Sequence, residues 1–195
     1  GTMAMEADEQ MEAEALNPPT HVIVQAGVGS LAGAVVGYFA NKYPLNTPTF
    51  IVVESDQADC LYRSAVAADG KPYIVDGDMT TIMAGLACGE PNTSSWEILK
   101  DKVSVFVSCP DWVAARGMRV LGAPLKGDRP VVSGESGAVP AGLLFTVMAD
   151  EEMAELRAAM GLDNNSRVLM FSTEGDTDKE NYRRIVWDGG CEKPQ

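Results

Sequence analysis

The chain has 195 residues, 46% of them hydrophobic, and a formal net charge of −13. That length supports a sizeable buried core, and that composition excludes a disordered chain. The acidic balance, with no basic stripe, argues against a nucleic acid or an anionic membrane surface as partner.

Residues 1–17 are expected to be an acidic lead-in helix, whose stretch 3–17 is rich in Ala, Glu and Met and stops before Pro18 and Pro19. The remainder, residues 18–195, reads as one domain. His21 to Gln25 open it as a short branched, apolar strand, followed by a glycine turn and a helix to about Tyr43. A second buried strand ends at Glu54, and a short helix covers residues 58–69. Residues 71–78 are expected to be a strand leading into a turn, and residues 80–92 an apolar segment broken by Gly89 and Pro91. An amphipathic helix capped by Ser94 or Ser95 leads into a strand at 104–110. Helices are expected at 111–122, in the second half of 130–148, and at 149–162. A last strand within 166–176 opens into a polar loop, and residues 179–189 form a tail helix. Strands alternate with helices and are apolar throughout. That predicts an α/β fold, a mostly parallel sheet with helices on both faces.

No apolar run approaches the ~20 residues that span a bilayer. There is no basic-then-apolar leader pattern, so a cytoplasmic, soluble protein is expected. Cys60, Cys88, Cys109 and Cys191 form no CxxC pair, and His21 is the single histidine. Neither a zinc site nor a Ser-His-Asp triad is expected from that set.

Chemistry concentrates where glycine breaks the pattern. In an open parallel sheet, ligands bind beyond the carboxyl ends of the strands. The first such loop is Ala26-Gly27-Val28-Gly29-Ser30. Glycines there allow a ligand close to the main chain, and the first amides of the following helix attract an anion. Two readings stay open on these residues. "GVGSLA" satisfies G-x-G-x-x-A, and Glu54 at the end of the next strand would then hold a ribose. Alternatively the loop holds the phosphate of another cofactor.

Longer strings favour the second reading. "QAGVGSLAGAVVGYF", "VVESDQADCLYRS", "GDMTTIMAGLACGEPN", "SCPDWVAARGMRVLG", "SGESGAV", "FSTEGDTD" and "YRRIVWDG" together resemble the diaminopropionate ammonia-lyase family. These are pyridoxal-phosphate enzymes of the tryptophan-synthase-β type, fold type II. The resemblance covers the C-terminal half of the family's chain. It implies pyridoxal 5′-phosphate as cofactor and an amino-acid substrate, 2,3-diaminopropionate, eliminated to pyruvate and ammonia. A homodimer is implied too. By the same resemblance, Ala26 to Ser30 would cradle the phosphate and Ser172, with Thr173 beside it, would face the pyridine nitrogen. Ala84 and Gly85 would run past the ring, and Glu135 would lie near the cofactor, with Glu54 a weaker candidate. The Schiff-base lysine belongs to the family's N-terminal half. None of Lys42, Lys71, Lys100, Lys102, Lys126, Lys179 and Lys193 is placed to be enclosed as such a lysine must be. The chain is therefore expected to lack a catalytic lysine and to be inert unless the missing half is supplied. A serine or threonine dehydratase of the same fold, or a nucleotide-binding module without catalysis, are the alternatives.

Overall fold

The computed structural model describes residues 2–194. Four parallel strands form one sheet in the order β3-β2-β1-β4. They are β1 (His21–Gln25), β2 (Thr49–Ser55), β3 (Val103–Cys109) and β4 (Val168–Leu169). The helices are α1 (Thr2–Ala13), α2 (Ser30–Lys42), α3 (Cys60–Ala67), α4 (Thr93–Lys102), α5 (Asp111–Gly122), α6 (Glu135–Ala149), α7 (Ala154–Met160) and α8 (Lys179–Val186).

Alternation along the strands builds two cores. Val22, Val24, Phe50 and Val52 pack with Val36, Phe39 and Trp96 of α2 and α4 on one face. Ile23, Ile51 and Val53 pack with Val113, Val139 and Leu143 of α5 and α6 on the other. Successive side chains on a strand point to opposite faces, so an all-apolar strand is a strand covered twice. The expected α/β architecture is the one observed. The lead-in helix docks on α2 through Asp8, which is buried and accepts hydrogen bonds from Tyr38 and Tyr43 and an ion pair from Lys42.

Three expected elements differ. Residues 71–78 form no strand. They run past α3 and pair with no sheet strand, fixed by the Tyr73 amide on Ser64 Oγ and the Val75 amide on the Gly89 carbonyl. The cap of α4 is Asn92, whose side chain accepts from the Ser95 amide at 2.9 Å, rather than either serine. The last strand is short: only Val168 and Leu169 pair with β1. At Phe171 the carbonyl accepts from the side-chain amide of Gln25, at 2.9 Å, so the ladder gives way to a side chain.

Candidate functional site

The sheet places the carboxyl end of β1 beside that of β4, and α2 starts from the turn between β1 and its helix. Gly29 precedes α2 with φ +95, a left-handed conformation that side chains resist, and no side chain caps the helix. The backbone N–H groups of Gly29, Ser30 and Leu31 have no hydrogen-bond partner among the described residues. Neither has the Ser30 hydroxyl, which lies exposed at the same end. These donors open onto a cavity of about 250 Å³, walled by Gln25 to Leu31, Gly85, Leu86, Cys88, Ser136, Thr173 and Glu174. A larger hollow of about 500 Å³ lies under α1 against Leu169 to Ser172. Its lining includes the carboxylates of Glu6 and Glu14, whereas the smaller cavity meets the free amides of α2, so the smaller one has the chemistry for an anion.

The far wall is organised by one side chain. Gln25 is buried at the end of β1, and its Nε2 donates to the Phe171 carbonyl and, at 3.0 Å, to Thr173 Oγ1. Its Oε1 is buried without a hydrogen-bond partner among the described residues. An acceptor left so costs about 1–3 kcal/mol. Thr173 lines the cavity. Ser172 does not: its hydroxyl donates to Ser133 Oγ at 2.9 Å, and Ser133 in turn donates to the Gly134 carbonyl. Glu174 closes the α6 end of the cavity, accepting from the Ser136 amide at 2.6 Å and the Gly137 amide at 3.2 Å.

Of the sequence-derived residues, the structure gathers Ala26, Gly27, Val28, Gly29, Ser30, Gly85 and Thr173 around one cavity. Ala84 begins the turn Ala84–Leu86 that carries Gly85, and is not on the wall. Glu135 is turned away, accepting a hydrogen bond from Asn181 of α8. The seven lysines are exposed or, for Lys100, half-exposed. Gln25, Ser136 and Glu174 escaped the sequence reading. A glutamine in an otherwise apolar strand was the available signal for the first.

Glu54 is fully buried, and its oxygens accept from the Leu61 amide at 2.9 Å and the Tyr62 amide at 2.6 Å. It caps α3 from beneath, which removes the ribose role and with it the dinucleotide reading. Burial pushes its carboxyl up to about 8, against the lowering effect of those two amides. The folded chain therefore holds a proton that the unfolded chain releases at ordinary carboxylate pH. Stability from this group is complete below about pH 4.5 and is lost as pH rises toward 8. Melting temperature is expected to fall between pH 5 and pH 8, and Glu54→Gln to flatten that fall. Parallel slopes in thermal melts of the two proteins would refute the assignment. Asp8 is lowered from the ordinary carboxylate range by Lys42, Tyr43 and Tyr38 despite its burial, so it titrates below this window.

A helix N-terminus without a side-chain cap, beyond the strand ends of a doubly covered parallel sheet, defines an α/β protein suited to a phosphate-bearing ligand. The family profile described as pyridoxal-phosphate dependent enzyme matches residues 1–172, and the chain belongs to that family. A diaminopropionate ammonia-lyase of Salmonella typhimurium is 54% identical over 190 residues, covering 96% of this chain and 47% of the relative. One from Escherichia coli K12 is 50% identical over 188 residues, covering 96% and 46% respectively. The crystal structure of Escherichia coli diaminopropionate ammonia lyase in complex with an aminoacrylate-PLP azomethine reaction intermediate superposes with a TM-score of 0.88. Its identity is 50%, over 98% of this chain and 48% of that one. The chain spans about half the length of the curated relatives it matches. Family membership indicates pyridoxal phosphate as the cofactor. The free amides at α2 fit its phosphate, and Thr173 is a neutral donor suited to a pyridine nitrogen. Among the described residues no helix is long and apolar enough to cross a membrane, and no cluster of metal-ligating side chains occurs.

Proposed function

We propose that this chain is the phosphate-holding half of a pyridoxal-phosphate ammonia-lyase that eliminates ammonia from 2,3-diaminopropionate to give pyruvate. The observation that carries the reading is the uncapped start of α2, with free donors from Gly29 to Leu31 facing a cavity. Ala26 to Ser30 bind the phosphate, Gly85 leaves room for the ring, and a hydroxyl of the loop after β4 supplies its nitrogen contact. When bound, the cofactor provides the electron sink for the substrate's α-carbon. The covalent lysine anchor comes from the half that the relatives carry beyond this chain, because every lysine here is at least partly exposed. A cytoplasmic homodimer belongs to the same reading. Identities of 50% and above to diaminopropionate ammonia-lyases favour that substrate over serine or threonine.

Two measurements test the reading. Calorimetric titration of the chain is expected to show binding of pyridoxine 5′-phosphate and weaker binding of inorganic phosphate. Incubation of the chain and cofactor with 2,3-diaminopropionate is expected to give no pyruvate. Absence of any phosphate binding would sink the cradle, and pyruvate formation would sink the half-enzyme assignment.

A further inference from the structure

We infer that Gln25 is a positioning residue that fixes the Thr173 hydroxyl with its proton aimed into the cavity, toward a heteroaromatic nitrogen. The inference rests on the proposed cofactor reading and assigns the ring-nitrogen contact within it to Thr173 rather than Ser172.

Proton accounting carries the argument. The Phe171 carbonyl only accepts, so the Gln25 group that faces it is the NH2, and the same NH2 donates to Thr173 Oγ1. A hydroxyl that receives a proton there keeps its own proton for another acceptor. Among the described residues Thr173 Oγ1 donates to nothing, and Thr173 lies on the cavity wall. Ser172 is in the opposite condition: its proton is engaged by Ser133, whose own proton goes to the Gly134 carbonyl. The second observation is the orphaned Gln25 Oε1. An apolar side chain would fill this buried strand end without stranding an acceptor. The glutamine is used through its donor side alone, and both donated bonds go to the segment that carries Thr173.

Glutamate is close in shape and reverses the polarity. A carboxyl group has at most one proton, and the Phe171 carbonyl takes it. The oxygen facing Thr173 then accepts, and the threonine proton swings away from the cavity. The test titrates the chain with three ligands: pyridoxine 5′-phosphate, its carbocyclic analogue with CH in place of the ring nitrogen, and inorganic phosphate. The unmodified chain is expected to prefer the nitrogen-bearing ring by about five- to tenfold, the range one hydrogen bond supplies. Thr173→Val and Gln25→Glu are each expected to abolish that preference, and Ser172→Ala to keep it. Inorganic phosphate affinity is expected to stay within about twofold throughout. Preference retained in Gln25→Glu, or lost in Ser172→Ala, overturns the inference. Failure of inorganic phosphate to bind the unmodified chain instead overturns the cofactor reading. If Gln25→Glu does not fold, the methyl resonance of Thr173 in the unmodified chain decides. It is expected to move with pyridoxine 5′-phosphate and much less with the carbocyclic analogue, and equal movement contradicts the assignment.

Discussion

Gly142→Ala is expected to cost about 4 kcal/mol or more, a large fraction of the roughly 5–15 kcal/mol that holds a domain folded. A Cβ on Gly142 would sit 1.8 Å from the Val113 carbonyl oxygen and 2.9 Å from the Gly117 nitrogen. Those are backbone atoms of α5, so the clash is relieved only by moving one helix against the other. Gly117 meets α6 in the same way, with its Cβ position 2.1 Å from the Ala138 carbonyl. The two helices cover one face of the sheet, and α6 also delivers Ser136 to the cavity. Its displacement would release the Glu174 cap and loosen the wall. Gly175→Ala, where nothing lies within 4 Å of the added carbon, is the matched control and is expected to stay within about 0.5 kcal/mol. Urea denaturation of the three proteins decides it: a Gly142→Ala midpoint equal to the control would mean that the helices do not cross so closely.

Gly29→Asp has the largest expected effect on binding. The residue stands at φ +95, so any Cβ is strained, and it would press Leu61 Cδ1 at 3.1 Å and Leu99 Cδ1 at 3.2 Å. Those are ends of flexible side chains, and the folded state survives at a cost of about 1–2 kcal/mol. The ligand does not fare so well. A carboxylate at this position repels a phosphate and takes the free amides of α2 for itself, as an N-cap does. Losing one or two charge-assisted hydrogen bonds, each about 1.5–3 kcal/mol, gives a fall in affinity of about a hundredfold or more. Calorimetry with pyridoxine 5′-phosphate checks this, and binding unchanged from the unmodified chain would place the phosphate elsewhere.

Much of this was legible in the residues. β1 and β2 announce themselves because a strand covered on both faces has no polar alternation to confuse it. The glycine turn is legible for the same reason that it matters, since few residues tolerate the backbone of Gly29. What escaped the sequence depends on neighbours distant along the chain. Residues 71–78 have strand composition but no strand lies beside them to pair with. The strand after Arg167 stops at Leu169 because a glutamine from β1 takes the carbonyl that a backbone amide would otherwise hold. Glu54 has the spacing of a ribose ligand, yet it faces the start of α3 and is sealed there. Glu135 and Glu174 show the same limit: the first is drawn to Asn181, and the second, within "FSTEGDTD" but given no role there, caps α6. Of the adjacent hydroxyls Ser172 and Thr173, only the hydrogen-bond pattern tells which one faces the cavity.

If the first amides of α2 grip a phosphate, amide-resolved NMR of the chain, titrated with inorganic phosphate and then with pyridoxine 5′-phosphate, reports it. The largest shifts are expected at Gly29, Ser30 and Leu31 with both ligands, joined by Thr173 only when the ring is present. Shifts centred instead on Leu169, Met170 and α1, around the larger hollow, would contradict the account.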